Sequence, residues 1–317
     1  DFVIHHLAAE HESDYKVIVS YINGLVDQLL LSKLLENLNR LKVDNLLRAD
    51  KASGEWLKNQ LAMGNIQVIR TEEDLIHSIL DGRAAIVVQG LREAFAVSID
   101  GGSRRSVEEP SSQTVIRGPK EGFTEDITTN IALLRRKIKS PHLTIESHVI
   151  GTYTRTNVSI AYIEGIANPE VVKEMTSRIK SIEIDGILES GYIEEMIQDG
   201  IQSPFPTMYN TERPDTVAGG LLEGLVAVFV DGTPFVLTAP VTFYRFLTSS
   251  EDYYQRFDIS SFLRIVRMIS FFVALLLPSI FISLTTFHQE LLPMPLLISL
   301  AAQREITPLP TLAAVNG

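Results

Sequence analysis

Two stretches of the chain combine charge, aromatic character and proline within a few residues, a mixture typical of binding loops. Residues 117–123 (RGPKEGF) place a rigid proline among opposed charges and end on an aromatic side chain. Residues 203–206 (SPFP) and 211–215 (TERPD) bring prolines and an arginine to the start of a predicted helix. Either stretch can serve as a ligand or partner contact. The alternative for both is a structured connection, with an internal Lys–Glu pair in the first. The candidate contact residues are Arg117, Lys120, Glu121, Phe123 and Arg213.

The sequence lacks the motifs of the common catalytic sites. Residues 118–123 do not follow the G-x-x-x-x-G-K-[ST] order of a phosphate-binding loop, and Pro119 removes a backbone N–H that such a loop uses. A G-x-S-x-G elbow and an H-E-x-x-H pair are also missing. His5, His6 and His11 lie close together, but a frayed polar end is favoured over a metal site. We therefore predict a protein that is not an enzyme and uses no cofactor and no metal.

Charge and cysteine content exclude further classes of function. The chain of 317 residues carries a net charge of −11, whereas a nucleic-acid-binding surface must be basic. It has no cysteine, so disulfides, zinc–thiolate sites and cysteine nucleophiles are excluded. We expect no nucleic acid among its partners.

One uncharged segment, residues 268–287, organises the rest of the chain. A helix of that length spans roughly 30 Å, the thickness of a bilayer's hydrocarbon core, and membrane helices tolerate the internal Pro278. Arg264 and Arg267 precede it, which places the N-terminal side in the cytosol and suits anionic lipid headgroups. The alternative is a core helix of a soluble protein. The sequence predicts a transmembrane helix, membrane lipid as a partner and Arg264 and Arg267 as membrane-flanking residues.

Local signals mark several elements before this segment. Asp27 follows a predicted strand and should cap a helix. A second helix is capped by Thr71, carries acidic residues in its first turn and ends at Gly82. Residues 84–88 and 94–99 should form a hairpin. The apolar face of the first helix consists of Leu30, Leu31, Leu34, Leu38 and Leu41.

The chain repeats this plan. Residues 19–27 (VSYINGLVD) align with 160–168 (IAYIEGIAN), and the second copy adds Pro169 at the first helical position. Residues 81–90 (DGRAAIVVQG) align with 223–232 (EGLVAVFVDG) at almost the same spacing. Two matches in order predict a duplication. The expected fold class is α/β (α+β): two similar lobes with mixed β-sheets and helices, followed by a transmembrane helix.

These signals divide the chain into consecutive regions. Residues 1–114 form a first α/β lobe, 115–140 a linker with a basic helix, and 141–245 a second α/β lobe. An interfacial segment at 246–267 leads into the transmembrane helix at 268–287. Residues 288–317 form a short apolar or re-entrant segment and a tail that we interpret as truncated.

The motifs resemble those of a known family. They are the stretches 117–139 (RGPKEGFTEDITTNIALLRRKIK), 158–172 (VSIAYIEGIANPEVV), 203–246 (beginning SPFPTMYNTERPD) and the lead-in 261–267 (SFLRIVR). Long ordered motifs of this kind are much more specific than a lone glycine pattern. The chain is similar in these stretches to the A subunit of the spore germinant receptors, the GerA-type family.

The resemblance implies a cytosolic two-lobed region followed by several membrane helices. It also implies a complex with a transporter-like B subunit and a lipoprotein C subunit in the spore inner membrane, and assembly of the A subunit into an oligomeric channel. The implied role is to sense nutrient germinants such as amino acids and to release ions at the start of germination. The family carries no catalytic residues.

Three hypotheses follow. In the first, the chain is a subunit of a receptor-channel. In the second, it is a membrane-tethered module that binds a small molecule between its lobes and has no channel activity. The third is an enzyme on an α/β scaffold, which the missing motifs disfavour.

Overall fold

The computed structural model describes residues 1–8, 16–40, 65–89, 91–99, 113, 118–199, 206–288, 291–295, 298, 299 and 302. It divides into two compact units, Asp1–Phe246 and Leu247–Gly317. Arg117, His11, Leu41, the residues 203–205 and the tail from 303 lie outside the described residues.

The first lobe is a five-stranded sheet with the strand order β1-β2-β4-β5-β3. Its strands are β1 (Phe2–Ala8), β2 (Lys16–Ile22), β3 (Ile66–Ile69), β4 (Arg83–Val88) and β5 (Ala94–Ser98). Its described helices are α1 (Gln28–Arg40) and α2 (Glu72–Leu80). The predicted leucine face of α1 is confirmed, because Leu31, Leu34 and Leu38 are buried in the core and Leu30 packs against its margin. The predicted cap of α2 is confirmed too, since Thr71 Oγ1 accepts from Asp74 N at 3.2 Å.

The prediction of a frayed N-terminal end is wrong. Residues Phe2–Ala8 form the edge strand β1, which pairs antiparallel with β2 along its whole length. His5 stacks on Tyr21, and its Nε2 lies 3.0 Å from the tyrosine Oη. Val3 and Leu7 pack against the core on the same face of the strand as His5, so the histidines do not prevent the pairing of this segment.

The second lobe repeats the first. Its five-stranded sheet has the order β6-β7-β9-β10-β8, which is the same topological order. The strands are β6 (Leu143–Ile150), β7 (Thr156–Ile163), β8 (Tyr209–Thr211), β9 (Val226–Val230) and β10 (Val236–Ala239). Three described helices belong to this part of the chain besides the one between the lobes. They are α4 (Pro169–Lys180), α5 (Ser190–Ile197) and α6 (Pro214–Leu222), and the intervening helix is α3 (Ile127–Lys137).

The aligned motifs occupy equivalent places. Asp27 accepts from the backbone N–H groups of Leu29 and Leu30 at 2.8 and 3.0 Å and so caps α1. Asn168 accepts from Glu170 N at 2.9 Å and caps α4, with Pro169 at its first turn. The α+β class with two similar lobes is confirmed.

The described strand pairings differ from the mixed sheets that we expected. All of them are antiparallel. Strands β3 and β4, which α2 connects, run in the same direction, as expected for a strand–helix–strand unit. They are not neighbours, because β5 lies between them and pairs with both.

Helix α3 packs against both lobes. Asp126 caps it by accepting from Thr129 N at 2.7 Å. Its Leu133 and Leu134 belong to the core of the second lobe, whereas Ala132 packs in a cluster with first-lobe residues. The turn before α1 approaches this point so closely that a Cβ on Gly24 would lie 2.9 Å from the Cβ of Ala132. The basic helix predicted near Thr124 therefore fills the junction between the lobes, rather than only linking them.

The second unit contains the long apolar helix α7 (Phe257–Thr286) of 30 residues. A short 3₁₀ helix, Ser250–Tyr253, precedes it. Among the described residues, α7 alone is long and apolar enough to cross a membrane, with a mean hydropathy of 2.3 and none of its most apolar window buried. It begins well before residue 268, so Arg264 and Arg267 lie inside the helix and not ahead of it. Most of the predicted segment 288–317, with its re-entrant form, lies outside the described residues.

Candidate functional site

The first candidate site forms around Arg213, the residue immediately before α6. Its side chain is 2% exposed, although arginine is rarely buried without a partner. Nε and Nη2 donate to the two carboxylate oxygens of Asp215 at 3.1 and 2.6 Å. Nη2 also donates to the Pro119 carbonyl at 3.1 Å, and Nη1 donates to the Gln113 carbonyl at 3.3 Å. We call Arg213, Asp215, Pro119 and Gln113 the Arg213 cluster.

The Arg213 cluster joins the two stretches that the sequence singled out. Pro119 belongs to the turn 117–123, and Phe123 continues the contact because its N–H donates to the Glu212 carbonyl at 2.7 Å. The Phe123 ring packs edge-on against Phe229 in the second-lobe core, with ring centroids 5.5 Å apart. Because these stretches are far apart in sequence, neither stretch by itself predicts that they contact each other.

The remaining charges of the turn lie at the surface. Glu121 pairs with Lys137 of α3 at 2.8 Å. Lys120 is exposed. The Nε, Nη1 and Nη2 atoms of Arg213 all donate hydrogen bonds to protein groups, which gives this residue a structural role. Ligand or partner contact by Lys120, Glu121, Phe123 and Arg213 stays a prediction.

The second candidate site forms around Asp252, in the unit that carries α7. Arg264 Nε donates to its Oδ2 at 3.0 Å, and Arg267 donates to both carboxylate oxygens at 2.9 and 2.7 Å. Ser249 N donates to Oδ2 at 3.2 Å, and Ser260 Oγ donates to the Asp252 carbonyl at 2.7 Å. We call Asp252, Arg264 and Arg267 the Asp252 cluster.

Electrostatics keep this carboxylate ionised. The Asp252 side chain is 1% exposed. Burial by itself would raise its pKa, but hydrogen bonds from Arg267, the Ser249 backbone and Arg264 outweigh burial, so the pKa lies below its usual value. The cluster attaches the 3₁₀ helix to the first turns of α7 through charge-assisted bonds. Sequence reasoning treated Arg264 and Arg267 as lipid-facing and missed Asp252. The sequence does carry a signal for Asp252. Residues 249–252 follow the S-x-x-D capping pattern, and in the structure Asp252 forms a capping box with Ser249.

In the part of the chain that the structure describes, no group of three or more histidine, aspartate or glutamate side chains could hold a metal ion. Both candidate sites are instead ion-pair networks that fix the start of a helix.

Comparison with known proteins decides the family. A sequence model described as Bacillus/Clostridium GerA spore germination protein matches residues 1–315. The chain belongs to this family.

Individual members of the GerA family show the same relationship. The chain is 44% identical to spore germination protein KA of Bacillus subtilis (strain 168), over 98% of this chain and 57% of that protein. It is 38% identical to spore germination protein A1 of the same organism, over 92% of this chain and 59% of that protein. The chain thus spans somewhat more than half the length of these relatives.

A solved structure is also similar. It is the crystal structure of the N-terminal domain of the A subunit of the Bacillus megaterium spore germinant receptor GerK3. The match has 42% identity, a TM-score of 0.58, and covers 77% of this chain and 89% of that one. The resemblance expected from the motifs is confirmed.

Proposed function

We propose that this chain acts as an A-type subunit of a spore nutrient-germinant receptor and contributes to gating an ion channel at the start of germination. The observation that carries the proposal is a GerA-family match over residues 1–315, in a chain whose two-lobed unit is followed by one exposed apolar helix. A receptor of this kind must convert ligand occupancy into a change in the membrane, which requires two states with different affinity for the ligand.

The proposed partners follow from the family. They are a transporter-like B subunit, a lipoprotein C subunit, further copies of the same chain, and membrane lipid. The proposed location is the spore inner membrane, with the lobes in the cytosol. The arginines Arg264 and Arg267 near the start of α7 agree with this orientation, because positive charge collects on the cytoplasmic side.

A gene deletion tests the proposal. Spores lacking the gene, but with other receptors intact, are mixed with single nutrients while ion release and loss of refractility are recorded. We expect a slower or absent response to at least one nutrient, and its return when the gene is restored. An unchanged response to every nutrient, when the parent spores are shown to contain the protein, contradicts the proposal.

Orientation and membrane association have a separate test. Carbonate washing of a membrane fraction should leave the chain in the pellet, and protease added to sealed inside-out vesicles should cleave the lobes. Release by carbonate contradicts the membrane span, whereas protection of the lobes contradicts their cytosolic location.

The alternative function is a membrane-tethered module that binds a small molecule between its lobes. Ala132 of α3 packs at that junction with Ile22, Leu25 and Leu80 of the first lobe. At this point of the junction the contact is apolar, so a polar small molecule would find no hydrogen-bonding side chain among these residues.

A further inference from the structure

The beginning of α7, Phe257–Arg267, turns its polar side chains toward the 3₁₀ helix, and we call it the α7 lead-in. Ser260, Arg264 and Arg267 recur at spacings of four and three residues, so they share one face of the helix. Ser260 is buried and donates to the Asp252 carbonyl, and both arginines donate to the Asp252 carboxylate. The 3₁₀ helix therefore covers the polar face of the α7 lead-in.

The two arginines are bound mainly by groups of this unit. Arg267 Nη1 also donates to the Leu247 carbonyl at 3.1 Å, and the Arg264 guanidinium lies 5.8 Å from the centroid of the Tyr253 ring. One carboxylate shared by two arginines leaves one positive charge uncompensated instead of two. A charge that is paired is much less costly at the edge of a bilayer than one that is not. The α7 lead-in thus presents less charge to its surroundings than its sequence indicates.

The opposite face of the α7 lead-in is an exposed apolar stripe. Its members recur at spacings of three and four residues and are between 39% and 65% exposed. The stripe crosses residue 268 without interruption, so it joins the α7 lead-in to the uncharged part of the helix. It consists of Ile259, Phe262, Val266, Ile269 and Val273.

The length of α7 agrees with this continuity. Its 30 residues span about 45 Å at the rise of an α-helix. The hydrocarbon core of a bilayer is about 30 Å thick, and the core together with both headgroup layers is about 40–45 Å thick. When the uncharged part fills the core, the α7 lead-in lies in the headgroup layer. Tyr253 and Phe257 are exposed at its start, where aromatic side chains are favoured.

We propose that the apolar stripe of the α7 lead-in is buried in lipid, and that Asp252 makes this possible by holding Arg264 and Arg267 away from the lipid headgroups. The continuity of the stripe with the membrane-crossing part of α7 favours lipid over a protein partner. This inference rests on the membrane span of the proposed function. It reverses the expectation that the two arginines bind anionic headgroups, and it makes Asp252 a positioning residue for the depth of α7.

Single cysteines can measure the depth, because the chain contains no cysteine of its own. The full chain is placed in membrane fragments that are open on both sides and treated with a membrane-impermeant maleimide. Phe262→Cys should react about tenfold or more slowly than Glu195→Cys, an exposed position on α5. Leu276→Cys in the middle of α7 is the control for a position buried in lipid. The proposal is overturned if Phe262→Cys reacts as fast as Glu195→Cys.

The role of Asp252 is tested by removing its charge in the Phe262→Cys chain. Asp252→Asn leaves both arginines without their carboxylate, so we expect the α7 lead-in to move outward and Phe262→Cys to react about fivefold or more faster. Asp258→Asn is the matched control, because Asp258 lies on the same helix in an exposed pair with Arg256. It should change the rate by less than about twofold.

A neutral cluster separates charge from simple loss of structure. The variant Asp252→Asn/Arg264→Gln/Arg267→Gln has no charge to draw the α7 lead-in outward, so Phe262→Cys should again react slowly. If Asp252→Asn leaves the rate unchanged, or if the neutral cluster stays as reactive as Asp252→Asn, the role of Asp252 is refuted.

The same cysteines distinguish lipid from a second copy of the chain and separate this inference from the proposed function. Oxidation of membranes that contain Phe262→Cys should give no disulfide-linked dimer, and efficient dimer formation would show that a second copy covers the stripe. If Leu276→Cys is protected while Phe262→Cys is not, the inference fails and the membrane span stands. If Leu276→Cys reacts as fast as Glu195→Cys, the span itself is contradicted.

Discussion

At the scale of single residues, the two ion-pair clusters differ in what surrounds the charge. Arg213 is buried on all sides and meets one carboxylate and two carbonyls, whereas Asp252 is buried and its two arginines are each about a third exposed. Removing one member of a buried pair strands the other in a medium of low dielectric constant. The two sites should therefore respond differently to substitution.

The Arg213→Met variant leaves Asp215 as a buried carboxylate without its arginine, and it removes the donor to the Pro119 and Gln113 carbonyls. We expect a loss of about 3–5 kcal/mol in the free energy of unfolding, measured by chemical denaturation. Arg92→Met, at an exposed position, should change it by less than about 0.5 kcal/mol. Equal stability of the two variants would contradict the structural role of the Arg213 cluster.

The Asp252→Asn variant tests the cluster at the start of α7. Because the pKa of Asp252 is lowered in the folded state, its charge stabilises the protein above the unfolded pKa, and this contribution is lost as pH falls through the folded pKa. We expect the variant to be less stable by about 2 kcal/mol at neutral pH and its disadvantage to shrink below about pH 4. Thermal unfolding in detergent across this pH range measures the difference. A disadvantage that persists unchanged to low pH would indicate that charge is not its cause.

At the scale of elements, the sequence predicted what local patterns encode. Asp27, Thr71 and Pro169 mark helix starts through chemistry confined to a few residues, and the leucine spacing of α1 reports its buried face. Contacts between distant segments were missed, because neither Arg213 with Pro119 nor Arg267 with Asp252 leaves a local pattern. The edge strand β1 was missed because its histidines made the segment look polar, whereas pairing with β2 packs Val3 and Leu7 against the core.

The duplication supplies a matched pair of glycines for testing the junction between the lobes. Gly24 and Gly165 are equivalent and have similar positive φ values of 84° and 82°. A Cβ added at Gly24 would meet heavy atoms within 4 Å, whereas one added at Gly165 would meet none among the described residues. Alanine should cost about 1 kcal/mol at either site through backbone strain. Gly24→Ala should cost at least about 1 kcal/mol more, because its methyl group meets Ala132.

Thermal midpoints of the two alanine variants measure this difference. Ala132→Gly introduced together with Gly24→Ala should recover part of the extra loss, since it removes the opposing methyl group. If Gly24→Ala and Gly165→Ala are equally stable, the close packing of α3 against the first lobe is contradicted.

At the scale of the whole molecule, two sibling lobes have diverged in their charge while keeping their topology. The strand order is shared, yet among the described residues the hydroxyl of Tyr162 contacts Glu146, whereas that of the equivalent Tyr21 contacts His5. Motif spacing was enough to predict the two lobes. The different partners of these two tyrosines were not predicted, because each contact joins two strands that meet only after folding.

Membrane insertion belongs to this scale as well. Replacing Leu276 and Ile280 of α7 with aspartate places two charges at the middle of the apolar helix, at a cost of about 5–7 kcal/mol for insertion. We expect carbonate washing to release this variant, whereas Leu276→Ala/Ile280→Ala should stay in the membrane pellet. Equal retention of both variants would show that α7 does not anchor the chain.

Because α7 is continuous from Phe257, its arginine-bearing turns and its apolar turns up to Pro278 belong to one uninterrupted stretch of helix. The part before residue 268 extends about 16 Å beyond the uncharged stretch, at the rise of an α-helix. A small lateral push on that end would tilt the helix within the bilayer as far as Pro278, where the missing backbone hydrogen bond lets the helix bend. Such a lever turns a slight displacement outside the lipid into a reorientation inside it.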